Sequence, residues 1–269
     1  MKIACYIRRE KLKDSAEVLS MLASFSKAGF DHYHILSPDD VTDGTSFIVS
    51  IGGDGTFLGA SLVAYEKDIP LLGVNFGHLG FLAEAPCADI AGKLAAGDYT
   101  LLGRRMLRLV SPAKDDESNL ALNEITIARH GPVAIGVNVS VNGSPLPTCR
   151  ADGVIVASAS GSTAYNLSAG GPICAPEADV MVITPIAPHN LGVRPLVVPG
   201  DSEVRIEIRD CRSSADIALD NRMMPFPDGG TVVVRSAERE LKCVSFGDGT
   251  FINALRTRLF WGADIRNSK

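Results

Sequence analysis

A chain of 269 residues, 46% of them hydrophobic, can bury one large core or two smaller ones. A formal net charge of −5 without any basic block speaks against a nucleic-acid partner, because phosphate-backbone binding rests on clustered Lys and Arg. No apolar run reaches transmembrane length, and the first strand soon meets Arg8-Arg9-Glu10-Lys11, so neither a membrane span nor a signal peptide is expected.

In chain order, Lys2 to Ile7 reads as a strand and Asp14 to Ala28 as a helix, with Val18, Met21, Leu22 and Phe25 at three- and four-residue spacing. A weak strand around Tyr33 to Leu36 follows, then Ser46 to Ile51, a helix over Leu58 to Tyr65, and a short strand from Pro70 to Asn75. This alternation predicts a parallel sheet with helices on its faces. Ala88 to Ala96 reads as a helix ending at Gly97. Beyond it, strands are expected at 100–110, 120–129, 135–141, 153–158, 180–184, 193–198, 203–208, 216–219, 231–235 and 241–246. Asn142-Gly143 signals a hairpin between 135–141 and 146–149. A helix is expected over 248–260. The predicted fold is therefore an α/β domain with a parallel sheet over 1–99, then a β-rich, sandwich-like domain over 100–250, then a C-terminal helix over 251–269.

The strand at 46–51 runs into Gly52-Gly53-Asp54-Gly55-Thr56, and a helix opens after it. Closely spaced glycines permit positive φ and let backbone N–H groups approach a ligand, which suits phosphate. Asp54 is out of place beside phosphate, so it must accept a proton or hold a cation. The turn has neither the G-x-G-x-x-G spacing nor a following Gly-Lys-Ser/Thr. A tight turn with an aspartate cap would explain it without any function. The same Gly-Asp-Gly-Thr-Phe recurs at 247–251 and reads as a chance helix start.

The second dense stretch runs from Arg150-Ala151-Asp152 through Ser158-Ala159-Ser160-Gly161-Ser162-Thr163-Ala164-Tyr165-Asn166-Leu167-Ser168 to Gly170-Gly171-Pro172. Small residues leave room there, and hydroxyls offer short hydrogen bonds to a planar polar group such as a nucleobase. It also reads as a Ser-rich loop capping a helix at 163–169, and no G-x-S-x-G elbow is present. On pattern alone, Asn123-Glu124 are ordinary exposed polar residues, His78 and His189 are structural, and 114–119 is a solvated charged loop. Six cysteines without C-x-x-C spacing suggest neither a zinc nor a redox motif. They read as reduced, buried thiols in a cytosol.

Together these motifs resemble the NAD kinase family. The resemblance is carried by Gly52-Gly53-Asp54-Gly55-Thr56, Asn75-Phe76-Gly77-His78-Leu79-Gly80-Phe81-Leu82, Asn123-Glu124, Asp152-Gly153, Gly161 to Pro172, Pro185 to His189 and Arg194-Pro195. It implies transfer of the ATP γ-phosphoryl group to the 2′-hydroxyl of the adenosine ribose of NAD. It also implies a site between two domains, a C-terminal helix folding back to the first, dependence on a divalent metal such as Mg, and a cytoplasmic homo-oligomer. Position by position, it implies Asp54 as general base and Gly52, Gly53, Gly55 and Thr56 as the phosphate loop. It puts Asn123 on adenine, Glu124 on a ribose hydroxyl, Asp152 on the nicotinamide half and Arg150 on the new 2′-phosphate. Ser160, Ser162, Thr163, Ala164, Tyr165, Asn166, Leu167, Ser168 and Asn221 would complete the pocket, with Phe76 and Ala187 as walls. No metal ligand is singled out. A lipid kinase sharing the glycine turn, or a non-catalytic NAD-binding regulator, are the alternatives. The first has no reason to carry Asn123-Glu124, and the second no reason to keep Asp54.

Overall fold

The computed structural model describes residues 1–75, 80–82, 89–113, 119–209, 215–227, 230–247 and 251–259. The chain forms two compact units, Met1–Gly103 with Leu241–Lys269, and Arg104–Glu240.

The first unit is built on a parallel sheet in the order Asp31–Ile35, Lys2–Tyr6, Phe47–Ile51, Leu71–Val74, with Cys243 paired to Leu71 beyond it. Every residue of Phe47–Ile51 and of Leu71–Val74 is buried, as expected of parallel strands covered on both faces. Helix Ala16–Lys27 starts where Ser15 Oγ accepts the Val18 N–H at 3.3 Å, and it buries Val18, Met21 and Phe25, the predicted stripe. Helix Ile90–Ala96 is capped by Asp89, whose side chain accepts the Gly92 N–H, and it ends at Gly97. The closing helix Phe251–Arg258 belongs to this unit and buries Leu255.

The helix after the glycine turn spans Asp54–Lys67, four residues earlier than the apolar spacing suggested. Gly53 is its extended N-cap, and the N–H groups of Thr56 and Phe57 both turn back to the Gly53 carbonyl, at 2.9 and 3.1 Å. Gly52 has φ +149, and a Cβ there would stand 2.5 Å from Thr56 Oγ1. The chain can therefore turn this sharply only through glycine. Asp54 is the first helical residue, not the middle of a loop.

The second unit layers two antiparallel sheets, as predicted. One joins Cys149–Ala151, Ile135–Val141, Val204–Arg209 and the first part of Thr231–Ser245. The other has the order Leu196–Pro199, Val180–Ile186, Gly153–Ser158, Glu124–Arg129, Ala215–Leu219, Arg222–Pro225. Ile135, Val137, Val204, Ile206, Val232 and Val234 from the first pack with Ile125, Ile127, Val154, Val156, Met181 and Ile217 from the second. Asn142 and Gly143 both take positive φ, 50 and 78, the mirror-image turn that suits strand twist. The strand leaving that turn is only Ser144–Pro145, however, and pairing resumes at Cys149–Ala151. The predicted strands at 231–235 and 241–246 are one, Thr231–Ser245. Its exposed Glu238-Arg239-Glu240 mimicked a break. The strand predicted at 120–129 is divided at Leu122-Asn123, whose N–H groups leave the ladder for the Asp220 carboxylate.

Candidate active site

In the first unit, the Asp54 carboxylate is held from one side by backbone. Phe81 N–H donates to Oδ2 at 2.8 Å and Leu82 N–H donates to Oδ1 at 3.2 Å. These charge-assisted bonds fix the plane of the carboxylate. The approach is possible because residue 80 is glycine. A Cβ there would lie 1.8 Å from Oδ1 and 2.0 Å from Cγ. Gly80, Phe81 and Leu82 therefore form a seat for Asp54, a function that the sequence did not reveal. The N-cap Gly53 has no side chain with which to cap the first turn of the Asp54–Lys67 helix, a helix start that suits an anion. Phe76 lies outside the described residues, as do His78, residues 114–118 and Asp248-Gly249-Thr250 of the second glycine turn.

In the second unit, Asn123 and Glu124 are buried, 8% and 9% exposed, and not the solvated polar pair that the pattern suggested. The reason lies almost a hundred residues away. The Asp220 carboxylate accepts the N–H groups of Leu122, Asn123 and Glu124 at 2.9, 2.8 and 3.1 Å. Asp220 reaches them from a left-handed turn position, φ +52, between Ala215–Leu219 and Arg222–Pro225. The family resemblance singles out its neighbour Asn221, which is exposed, and assigns Asp220 no role. From the other side, Ser158 Oγ donates to the Leu122 carbonyl at 2.6 Å and Ser158 N–H to the Asn123 carbonyl at 2.8 Å.

Two acceptors in this pocket are left over. Asn123 Oδ1 and Glu124 Oε2 are buried and have no hydrogen-bond partner among the described residues. The Glu124 carboxyl does accept the Tyr165 N–H, yet burial, reinforced by the nearby Asp220 charge, pushes its pKa up to about 8. Burial likewise raises Asp220, against the pull of its three N–H donors. Such unsatisfied oxygens, on two consecutive residues, suit a ligand that brings N–H and O–H donors. Arg104, not foreseen from the sequence, donates from Nη1 to Ser160 Oγ at 3.1 Å in the same region.

The Ser-rich turn itself folds as a 3₁₀ segment Ser160–Thr163 and a helical turn Tyr165–Ser168. Two of the residues predicted to complete the pocket also brace the turn. Ser162 Oγ is shared between the Cys174 carbonyl and N–H. The fully buried Asn166 donates to the carbonyls of Ser162 and Pro172 at 3.0 Å each and accepts from Thr184 Oγ1 at 2.6 Å. Thr163, Ala164 and Leu167 are half-buried, while Tyr165 and Ser168 are exposed.

Arg150, Asp152 and Ala187 are not part of this cluster. Asp152 precedes strand Gly153–Ser158, whose far end meets Glu124 through Ala157. At about 3.3 Å per residue, five residues separate the two groups by roughly 17 Å. Ala187 joins the Arg150 end, where the Asp152 N–H donates to the Ile186 carbonyl and the His189 N–H to the Arg150 carbonyl. The Asp152 carboxylate is taken by Arg129, at 2.6 Å from Nε and 3.3 Å from Nη2. That bond, with the Arg129 and His189 charges, holds its pKa below the ordinary range.

A glycine-rich turn opening a helix beside a fixed carboxylate, and buried acceptors left unpaired among the described residues, are the marks of a nucleotide-using phosphotransferase. The comparisons agree. Residues 9–97 match the family described as the ATP-NAD kinase N-terminal domain, and residues 122–246 the ATP-NAD kinase C-terminal domain. An NAD kinase of Flavobacterium psychrophilum is 37% identical over 86% of this chain and 81% of its own. One from Porphyromonas gingivalis is 34% identical over 98% and 99%. Among solved structures, the NAD kinase of Archaeoglobus fulgidus in complex with ATP aligns with TM-score 0.76 and 26% identity, over 97% of this chain and 98% of its own. Yeast NADH kinase complexed with NADH shares the fold at TM-score 0.79 and 23% identity, over 100% and 90%. The chain belongs to the NAD kinase family and is an enzyme of that class, a phosphotransferase. The lipid-kinase and non-catalytic alternatives are not favoured.

Proposed function

We propose that this enzyme transfers the γ-phosphoryl group of ATP to the 2′-hydroxyl of the adenosine ribose of NAD, with Asp54 accepting the hydroxyl proton. The observation that carries the nucleotide half of this reading is the pair of buried, unpartnered oxygens, Asn123 Oδ1 and Glu124 Oε2. Adenine brings an exocyclic amine and ribose brings hydroxyls, and each is the donor such an oxygen lacks. Asn123 takes the adenine and Glu124 a ribose hydroxyl, while Thr163, Ala164, Tyr165, Leu167 and Ser168 wall the nucleotide and Ser160 joins them. The complexes of the two solved relatives with ATP and with NADH support the same substrate classes here.

A carboxylate is a weak base, but it serves in a loose phosphoryl-transfer transition state, where the proton leaves late and orientation counts most. The Phe81 and Leu82 N–H groups supply that orientation. Gly52, Gly53, Gly55 and Thr56 shape the loop at the triphosphate. A divalent ion fits as well. Among the described residues no group of three or more His, Cys, Asp or Glu could cage a metal. A Mg ion that stays on the triphosphate and keeps its waters needs only one or two protein carboxylates, and Asp54 is the acidic side chain at the turn. Such an ion would neutralise phosphate charge. Arg150, Asp152, Ala187 and Asn221 are proposed contacts of the remaining half of NAD and of the new phosphate.

A reducing compartment such as the cytoplasm suits the free, buried thiols of Cys5 and Cys149. A homo-oligomer is supported by the exposed Leu191, Leu196 and Val197 at the edge strand Leu196–Pro199. No helix among the described residues is long and apolar enough to cross a membrane. The decisive experiment incubates the protein with ATP, Mg and NAD and measures NADP, with diacylglycerol as acceptor in a parallel lane. Absence of NADP, or phosphorylation of the lipid instead, would overturn the reading.

A further inference from the structure

Arg258 closes the helix Phe251–Arg258. Its guanidinium carbon stands 4.9 Å from the centre of the Phe81 ring. Phe81 is the residue whose N–H holds Asp54 Oδ2. Arg258 Nε and Nη1 are buried and have no hydrogen-bond partner among the described residues. Burial lowers the guanidinium pKa, and the nearby charge of Asp54 counters this. Arginine remains charged in such surroundings. The chain thus holds a cation with two unused donors in the electrostatic neighbourhood of its candidate base. A guanidinium held over a ring by its cationic charge does not spend its N–H groups on that contact, and its planar fork suits recognition of phosphate.

We propose that Arg258 is a further catalytic residue, which donates its unused N–H groups to the oxygens of the phosphoryl group in transfer. This rests on the ATP-dependent reading given above. If Asp54 lies within hydrogen-bond reach of the attacking hydroxyl, the attacked phosphorus is one bond further on, and its oxygens gather charge there. In the step, the ribose 2′-oxygen bonds to the γ-phosphorus. The bond from that phosphorus to the β,γ-bridging oxygen breaks, and its electron pair leaves with ADP. The hydroxyl proton goes to Asp54. Arg258 neither gains nor loses a proton. It stabilises charge on the phosphoryl oxygens, as arginines do in other phosphoryl transfers.

The test compares Arg258→Ala and Arg258→Lys with wild type, reading kcat/KM for ATP, the melting temperature, and ATP, ADP and NAD affinities by calorimetry. Arg258→Ala is expected to lose on the order of 10²–10³-fold in kcat/KM, the range found for removing one preorganised donor. NAD affinity and melting temperature should hold. The preference for ATP over ADP should drop about tenfold, and added guanidinium should restore part of the turnover. Arg258→Lys, which keeps the charge but loses the fork, should fall between. Three outcomes would overturn the proposal: kcat/KM within about threefold of wild type, an unchanged ATP-to-ADP preference, or a loss that tracks melting temperature and ignores guanidinium. Wild-type protein that forms no NADP would instead refute the functional reading, and the ATP-to-ADP comparison would still test Arg258.

Discussion

Gly80→Ala is the most economical probe of the Asp54 seat. The added methyl would meet the carboxylate at 1.8 Å from Oδ1, 2.0 Å from Cγ and 2.2 Å from Oδ2. Ordinary carbon–oxygen contact needs about 3.5 Å, so the carboxylate must swing away by about 1.5 Å. It can do so, because it is the end of a short, half-buried side chain and not backbone. Folding should survive. The bonds from Phe81 and Leu82 are lost, at about 1–3 kcal/mol each before water substitutes. Water at the half-exposed carboxylate offsets part of this, and a remaining loss of about 2 kcal/mol corresponds to a fall of roughly 5 °C in melting temperature for a chain of this size. Catalysis should suffer far more, since a misplacement of about 1 Å costs on the order of 10²-fold. The assay is NADP formation under saturating ATP and NAD, beside thermal melting of the same sample. A folded Gly80→Ala protein with kcat within about threefold of wild type would refute the idea that this seat positions the base.

Asp54→Asn should abolish NADP formation and leave NAD affinity largely in place, whereas full turnover would remove Asp54 from the role of base. Asn123→Ala should raise KM for NAD about tenfold, the equivalent of one hydrogen bond, and an unchanged KM would take Asn123 off the adenine. Glu124 makes a pH prediction. Its folded pKa of about 8 lies above the ordinary 4.5, so the folded protein binds this proton more tightly than the unfolded chain does. Its contribution to stability is therefore complete below about 4.5 and is lost as pH rises through about 8. Glu124→Gln should escape that loss. Its melting temperature should gain on wild type from pH 5 to pH 8 and keep a constant lead above, and a pH-independent difference would contradict the burial argument.

Local rules were enough for much of the architecture. The stripe Val18, Met21, Phe25 placed helix Ala16–Lys27, and Asn142-Gly143 placed the hairpin. The apolar runs at 47–51 and 71–74 announced a buried parallel sheet. Such patterns are legible because a helix or strand repeats its face every few residues. Where polar residues sat on a strand, as at Glu238 to Glu240, the same rule invented a break.

The site obeyed a different logic. The sequence alone determined that a carboxylate would stand in a glycine turn between a strand and a helix, and the order of its motifs determined the family. It could not say how Asp54 would be held, because the answer is a missing side chain at Gly80 and two N–H groups 27 and 28 residues away. Nor could it say that Asn123 and Glu124 would be buried, because Asp220 reaches back 96 to 98 residues to gather the backbone around them. Periodicity assigns a polar residue to water unless a partner is at hand, and the partner here comes from another strand. The tertiary structure also separated Arg150, Asp152 and Ala187 from the Asn123 pocket by the length of a strand, and it brought Arg258 from the far end of the chain to Phe81 and Asp54. Secondary structure follows from neighbours in the chain, whereas the charge and hydrogen-bonding state of a site depends on which distant groups meet there.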